Sequence, residues 1–281
     1  MPYIPPNTLS LKNAKLQTQS RIALMGYPFT GKTFSALTFP NPVVINLDNK
    51  LGAHHGKDVL IVPFHDAAFV DSLVKRKEPK HQPNVRNAVE LWLITEAQKL
   101  ESDQTLILDS WTMLNAAQEQ QESYEPVVSL KTGSHDDRAP WKHKLEYFGR
   151  ICRALRELRC NVVVTFHEQA ERFKTGMNAG DKTGKVRPLM NGQFKDQLMG
   201  HFTDFFRQHA IDKPAKWTDL KLRGRTNEPW IQACYESTPP EIPVMYLWQT
   251  YSDDIADCGS TLVNPPPFIP ATYEAFRKYK I

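Results

Sequence analysis

The sequence predicts an α/β protein in which helices cover both faces of a mostly parallel central sheet. Short apolar segments, several of them rich in β-branched residues, alternate along the chain with segments whose apolar residues recur every three or four positions. The apolar segments are continuous rather than interrupted by polar residues, which indicates strands that are buried on both faces. The chain has 281 residues, 41% of them hydrophobic, so it is long enough to bury such a sheet without disulfide bonds.

The elements follow one another in the order that stacked strand–helix–strand units require. Strands are predicted at residues 21–25, 43–48, 59–64, 105–109 and 161–166. Helices are predicted from a glycine-containing turn to about residue 37, at 87–100, from residue 110 onward, and at 141–158. Residues 171–193 contain four glycines and predict a long loop, and later strands are predicted at 201–206 and 217–222.

The length permits either one large domain with a tail or two small domains. We predict an N-terminal arm at residues 1–20, a core at 21–236 and a proline-rich C-terminal tail at 237–281. The tail is expected to be extended, because prolines are dense from residue 239 onward, and to end in a short helix at 273–280.

Composition narrows the class of protein. The four cysteines are scattered and include no C-x-x-C pair, which argues against a disulfide framework or a structural zinc site and fits a reducing compartment. No apolar run approaches the roughly 18 to 20 residues of a membrane-spanning helix, and the N-terminus lacks the layout of a signal peptide. We therefore expect a cytoplasmic protein that does not contact a membrane. The net charge of +4 is only mildly basic, so an argument for nucleic-acid binding depends on where the cations lie.

The most specific motif matches G-x-x-x-x-G-K-S/T in full. Its residues are Gly26, Tyr27, Pro28, Phe29, Thr30, Gly31, Lys32 and Thr33, followed directly by Phe34. Glycines allow the backbone to wrap around a phosphate chain with its N–H groups pointing inward. The lysine supplies a cation for the terminal phosphates, and the threonine offers a hydroxyl to Mg²⁺. Because the motif lies between an apolar strand and the start of a helix, it predicts a site for a nucleoside triphosphate.

Three polar residues lie at the ends of predicted strands, at the same edge of the sheet. Asp109 ends an apolar strand, where a carboxylate reaches the Mg²⁺ beside Thr33, although Ser110 could instead simply cap the next helix. Asp48 ends the strand after the glycine loop and could orient or deprotonate the attacking water, or form a turn with Asn49. His167 could sense the terminal phosphate, or it could be an ordinary core histidine.

Two groups of cations are candidates for binding a phosphate backbone. The first lies in the predicted glycine-rich loop after His167 and consists of Arg172, Lys174, Lys182, Lys185 and Arg187. The second is Lys213, Lys216, Lys221, Arg223 and Arg225. Runs of charge are usually solvated surface, and the position of the first group beside the nucleotide edge favours it as the site for single-stranded DNA.

The order of these parts resembles a phage-encoded family of RecA-like, core-only P-loop ATPases that is associated with single-strand annealing recombination. The resemblance spans about residues 20–230, and it lies in the loop 26–33, Asp48, Asp109, the run ending at His167 and Glu168, the basic loop ending at Arg187 and Pro188, and the strand with Asp204.

That resemblance implies a RecA-like P-loop NTPase core, ATP with Mg²⁺, and single-stranded DNA bound through the loops after the strands of Asp109 and His167. It also implies assembly into rings or filaments, in which Arg223 and Arg225 are candidates for reaching a neighbouring subunit's nucleotide. Asp48 takes the place of the family's acidic water-activating residue, and His167 that of its polar sensor. RecA has Glu where this chain has Asp48, followed by Asn49 and Lys50, so we expect slow hydrolysis.

Three functions are consistent with the sequence. The first is a DNA-stimulated ATPase that binds single strands and promotes annealing or strand pairing, with further copies of the chain and a single-strand-binding protein as partners. The second is a nucleotide-gated assembly or loader protein with slow hydrolysis. The third is a P-loop small-molecule kinase, which would need an arginine-bearing lid over an acceptor pocket.

Overall fold

A computed structural model describes residues 19–74, 84–124, 139–172, 181–190 and 194–280 of the chain. Within these residues, nine strands form one sheet: β1 (Arg21–Gly26), β2 (Pro42–Asn46), β3 (Leu60–Val62), β4 (Thr105–Asp109), β5 (Asn161–Arg172), β6 (Lys182–Pro188), β7 (Asp204–Asp212), β8 (Val244–Gln249) and β9 (Phe268–Pro270). The helices of the same ranges are α1 (Lys32–Ala36), α2 (Ala67–Val74), α3 (Val85–Thr95), α4 (Trp111–Tyr124), α5 (Ala139–Glu157), α6 (Phe194–Gln197), α7 (Pro229–Glu236) and α8 (Tyr273–Arg277). The predicted arm at 1–20 lies outside the described residues except for its last two.

The strand order is β3-β2-β4-β5-β1-β7-β8-β9. The first six of these strands run parallel, and β8 and β9 continue the sheet in antiparallel fashion. β6 also pairs antiparallel, with the far end of β5. The predicted fold class, an α/β protein with a mostly parallel central sheet, is therefore confirmed.

Side chains of the central strands alternate between two cores, one on each face of the sheet. In β1, Ala23 and Met25 pack into the core that also contains residues of α3, α4 and α5. Ile22 and Leu24 pack into the other core, which contains residues of α1 and α8. All residues of β1 are buried, which explains why its sequence is apolar from Ile22 to Met25.

The first difference from the predicted elements lies in β5. This strand does not end at Phe166 but continues to Arg172, because the antiparallel strand β6 supplies hydrogen-bond partners beyond the edge of the sheet. The prediction of a loop over 171–193 is therefore wrong for Lys182–Pro188, which is strand. Residues 173–180 and 191–193 lie outside the described residues.

The later elements differ as well. The strand predicted at 201–206 is β7, which begins at Asp204 and runs on to Asp212. The strand predicted at 217–222 is wrong, because Trp217–Asp219 is a single turn of 3-10 helix. Leu220 and Leu222 are buried in a small core against α7 and β8. Their apolar spacing thus reflects loop packing rather than sheet pairing.

The C-terminal region is not the extended tail that its prolines predict. β8 pairs with β7 along six residues, and β9 pairs with β8. Trp248 is fully buried and its ring stacks on that of Phe206, with centroids 5.2 Å apart. The short C-terminal helix is present as α8, and Phe276 packs into the same core. Residues 244–277 therefore belong to the main fold.

The helices at 85–95, 111–124 and 139–157 agree with the sequence pattern, whereas α2, α6 and α7 were not predicted. Among the described residues, no helix combines the length and the apolar character needed to span a lipid bilayer.

Candidate functional site

The glycine loop connects the buried end of β1 to α1 and depends on both of its glycines. A Cβ atom at Gly26 would lie 2.7 Å from Thr30 Oγ1 and 2.9 Å from the backbone oxygen of Gln208. Gly31 has a φ of 78°, and a Cβ there would lie 2.5 Å from the ring of Tyr246. The loop therefore has a shape that larger residues at these two positions would not allow, as a phosphate-wrapping backbone requires.

Lys32 lies across the mouth of this loop. Its Nζ donates to the carbonyl oxygens of Gly26, at 2.9 Å, and of Tyr27, at 2.6 Å. Burial lowers the pKa of Lys32 to about 8, an effect that the nearby carboxylates of Asp109 and Glu168 partly oppose. The ammonium group is thus partly desolvated and held by neutral carbonyls that phosphate oxygens can replace.

Asp109, at the end of β4, is the centre of a hydroxyl–carboxylate cluster. Thr33 Oγ1 donates to Asp109 Oδ2 at 2.7 Å, and Thr165 Oγ1 donates to Oδ1 at 2.5 Å. Burial raises the pKa of Asp109, and the two hydroxyl hydrogen bonds act in the opposite direction. A carboxylate and a hydroxyl beside a glycine loop are oxygen donors suited to Mg²⁺, so the residues present fit this ion. Thr33 and Asp109 would hold it.

Asp48 lies two residues beyond the end of β2, and its side chain is only 8% exposed. Its Oδ2 is 3.2 Å from Lys50 Nζ, whereas its buried Oδ1 has no hydrogen-bond partner among the described residues. A buried carboxylate oxygen without a partner is costly, which indicates that a ligand or a water molecule belongs there.

His167 lies within β5 rather than at its end. Its backbone N–H donates to Thr112 Oγ1 at 3.0 Å, and its buried Nδ1 has no hydrogen-bond partner among the described residues. Burial, followed by the positive charges of Lys32 and Lys50, lowers the pKa of His167 to about 4. The imidazole is therefore neutral at physiological pH and can interact with a phosphate only through hydrogen bonding.

A family model described as an AAA domain matches residues 18–212, which is more than half of the chain. The chain belongs to this AAA domain family. AAA domains are P-loop ATPase domains, which bind and hydrolyse nucleotide, and the family usually uses Mg²⁺. No curated protein matches the chain.

The cluster of polar residues just described surrounds a cavity of about 780 Å³. The residues of the glycine motif that line it are Pro28, Phe29, Gly31, Lys32 and Thr33. Phe34, which follows the motif, lines it as well, as do Asp48, Asp109 and His167. Gly26, Tyr27 and Thr30 are not among the lining residues, and their carbonyl oxygens accept hydrogen bonds from Lys32 and Gln208. The structure thus places the predicted metal and catalytic residues, and six of the nine predicted nucleotide-binding residues, around one cavity.

Sequence reasoning missed several residues of this site. Thr165 follows Val164, which pairs with Leu108 in the parallel register, so it lies at the same level as Asp109. Its sequence signal is its position near the end of the predicted strand 161–166, at the same edge of the sheet as Asp109. Lys50 and Lys57 line the cavity from the segment after β2, and Tyr246 reaches it from β8. No local pattern could indicate these last contacts.

The AAA domain carries the first group of predicted DNA-binding cations on the β5–β6 hairpin. Arg172 ends β5, and Lys185 and Arg187 lie on β6. Arg187 forms an ion pair with Glu171, Nε to Oε1 2.9 Å. Lys174 lies outside the described residues, as does the side chain of Lys182. The predicted glycine-loosened loop is therefore wrong where these cations lie on strands.

The two arginines proposed to act on a neighbouring subunit do not end a strand. Arg223 follows the buried Leu222, has a φ of 50° and pairs with Asp253. Arg225 pairs with Glu228, at 3.5 Å. In the described chain both guanidinium groups are held by carboxylates of their own subunit.

Proposed function

We propose that the protein is a magnesium-dependent ATPase that binds single-stranded DNA and promotes annealing or strand pairing in phage recombination. The observation that carries the ATPase part is the convergence of Lys32, the Thr33–Asp109 pair and the orphaned Oδ1 of Asp48 in one cavity. These groups meet the separate needs of phosphate binding, metal binding and water positioning.

Each residue has a chemical part in this reaction. Lys32 exchanges the carbonyls of Gly26 and Tyr27 for phosphate oxygens and stabilises the charge on them. Mg²⁺ held by Thr33 and Asp109 would neutralise negative charge on the triphosphate. Asp48 Oδ1 accepts a hydrogen bond from the attacking water and so orients it. Neutral His167 offers a ring N–H to the terminal phosphate.

Support for a DNA-linked activity comes from the continuity of β5. The strand that holds His167 runs on to Arg172 and pairs there with β6, which carries the exposed Lys185. A shift of His167 on nucleotide binding would therefore move cations on the same strand pair. Side-chain cations of this kind bind the phosphate backbone of a nucleic acid whatever its base sequence.

The test measures the affinity for single-stranded DNA against salt concentration, with and without Mg-ATP. The affinity for single strands should fall with a slope of about −0.7 per phosphate contacted. Replacing Arg172 and Lys185 with alanine should flatten the slope by about 1.4 and leave ATP affinity unchanged. The matched control replaces the exposed Lys216 and Lys221, and it should leave the slope as in the wild type. If only the control pair flattens the slope, the hairpin is not the DNA site.

One observation favours the second function, a nucleotide-gated assembly protein with slow hydrolysis. Lys50 Nζ lies 3.2 Å from Asp48 Oδ2, so one oxygen of this carboxylate is engaged in an ion pair and is not free to bind the attacking water. Lys50→Ala should then raise the turnover rate if the pair restrains hydrolysis.

Light scattering with ATP and DNA tests the assembly that both functions imply, and a protein that stays monomeric argues against it. Arg223→Ala and Arg225→Ala should lower turnover without lowering ATP affinity if these arginines act across the subunit interface.

A further inference from the structure

We propose that β8, which lies beyond the residues matched by the AAA domain family, completes the nucleotide site by presenting the ring of Tyr246 as a stacking surface for the base of the nucleoside triphosphate. The inference rests on the proposed nucleotide site and adds the group that recognises the nucleoside end of the ligand. It also gives a function to the C-terminal region, whose sequence indicates none.

β8 holds Tyr246 in a fixed place and direction. Met245 and Leu247 are fully buried in the core that contains residues of α7, whereas Tyr246 and Trp248 face the core that contains residues of α1. This alternation, together with the pairing of β8 to β7, directs the Tyr246 ring towards the start of α1.

The ring lies directly against the glycine loop. Three of its carbon atoms are within 2.9 Å of the position that a Cβ would take at Gly31. The neighbouring Trp248 donates its indole N–H to Gln208 Oε1 at 3.1 Å, and Gln208 Nε2 donates to the carbonyl oxygen of Thr30 at 2.8 Å. β8 therefore contacts the loop once through Tyr246 and supports it again through Gln208.

The strand order places Tyr246 at the nucleoside end of the cavity. Asp109 on β4 and Tyr246 on β8 lie on opposite sides of β1, from which the glycine loop departs. Lys32 and the Thr33–Asp109 pair serve the terminal phosphates and the metal. The remainder of the ligand then extends in the other direction, past α1 and towards β8.

At this end the cavity has an aromatic wall. The rings of Phe34 and Tyr246 are 5.6 Å apart at an angle of 40°, and Phe34 is 36% exposed. Lys57 Nζ lies 4.6 Å from the centre of the Phe34 ring, and the His54 ring is 6.5 Å from it. The lining also includes Lys32, Lys50, Asp48, Asp109 and His167. Tyr246 is partly exposed, and a partly exposed aromatic ring in a charged cavity suits the π face of a nucleobase, which stacks on such rings irrespective of its hydrogen-bonding edge.

The experiment compares the affinities of the full chain for Mg-ATP and for inorganic tripolyphosphate with Mg²⁺, because tripolyphosphate has the phosphates and lacks the base. Tyr246→Ala should weaken ATP binding about tenfold, as expected for the loss of one base–aromatic stack, and change tripolyphosphate binding less than about twofold. Tyr246→Phe should bind both ligands as the wild type does. Tyr246→Leu keeps an apolar side chain against Gly31 and should behave as Tyr246→Ala does.

Tyr251→Leu serves as the matched control, because Tyr251 is in the same region, is 46% exposed and bonds to the carbonyl oxygen of Pro265. It should change neither affinity. Equal loss of both ligands in the Tyr246 variants would mean that the ring only supports the loop, and no loss of either would mean that it has no role; both results overturn the inference. A wild-type protein that binds tripolyphosphate and ATP equally also overturns it but leaves the phosphate site intact. Binding of neither ligand refutes the nucleotide site itself, and the inference with it.

Discussion

Arg207 of β7 and Glu168 of β5 form a buried ion pair across the end of β1, where the glycine loop begins. Arg207 donates from Nε and Nη2 to the two carboxylate oxygens of Glu168, both at 2.9 Å. The Glu168 side chain is 1% exposed and that of Arg207 is 12% exposed. Replacing Arg207 with methionine keeps most of the side-chain volume and leaves the Glu168 carboxylate buried without its partner.

The expected cost follows from this burial. Removing one member of a buried ion pair destabilises a protein by about 3–5 kcal/mol, because the remaining charge stays desolvated and uncompensated. For a chain of this size, that loss lowers Tm by roughly 6 to 20 °C. The double variant Arg207→Met/Glu168→Leu removes both charges, so it should recover most of the loss and come within about 1–2 kcal/mol of the wild type.

Urea denaturation followed by tryptophan fluorescence measures these free energies, with Arg153→Met as the control for an exposed arginine on α5. The control should change stability by less than about 0.5 kcal/mol. A loss below about 1 kcal/mol in Arg207→Met, or a double variant as unstable as the single one, would refute the reasoning, since the charge would then not be the cause. Mg-ATP affinity, measured well below Tm, should fall in the single variant, because the pair fixes the strands on both sides of the loop.

Three further predictions concern the nucleotide site. Asp109→Asn should weaken Mg²⁺-dependent ATP binding, whereas Asp48→Asn should leave binding intact and slow turnover. Calorimetry measures the binding and a phosphate-release assay measures the turnover. If the two variants show each other's phenotype, the two residues have each other's role. Gly31→Ala should reduce Mg-ATP affinity more than about tenfold, because the new Cβ would lie 2.5 Å from the ring of Tyr246. Gly56 also has a positive φ, of 87°, but has open space around it, so the control Gly56→Ala should reduce stability and leave the affinity unchanged. Because the pKa of His167 is about 4, its ring is uncharged at pH 6 and above. His167→Gln should therefore retain ATP binding, with the same dependence of affinity on pH as the wild type from about pH 6 to 8. A wild-type affinity that changes near pH 6.5, with no such change in the variant, would contradict this.

The sequence predicts those parts of the site whose chemistry is local. The spacing from Gly26 to Thr33 is a property of one continuous segment, and Asp109 ends a strand that is recognisable by its own residues. Continuous apolar segments also predict the parallel sheet, because burial on both faces removes polar residues from a strand.

Other features depend on contacts between distant segments, which no local pattern encodes. β6 is charged and contains Gly184, and it is a strand only because β5 extends far enough to pair with it. The apolar run of β8 lies among prolines that indicate a tail, and its partner β7 lies more than thirty residues earlier. The contact of Tyr246 with Gly31 follows from that pairing and is equally invisible in the sequence.

Because β7 is synthesised before β8, it has an unpaired edge while the rest of the chain is being made. β7 has nine residues and is synthesised before β8, at about 5–20 residues per second, so for some seconds its outer edge has no partner. Its unpaired N–H and C=O groups are then a template for pairing with another nascent chain, and Phe206 lacks the indole ring that covers it in the finished fold. A shortened chain that stops at residue 212, where the family match ends, would keep this edge exposed permanently. Such a fragment is expected to aggregate, whereas a chain that continues through β8 caps the edge as soon as that strand emerges.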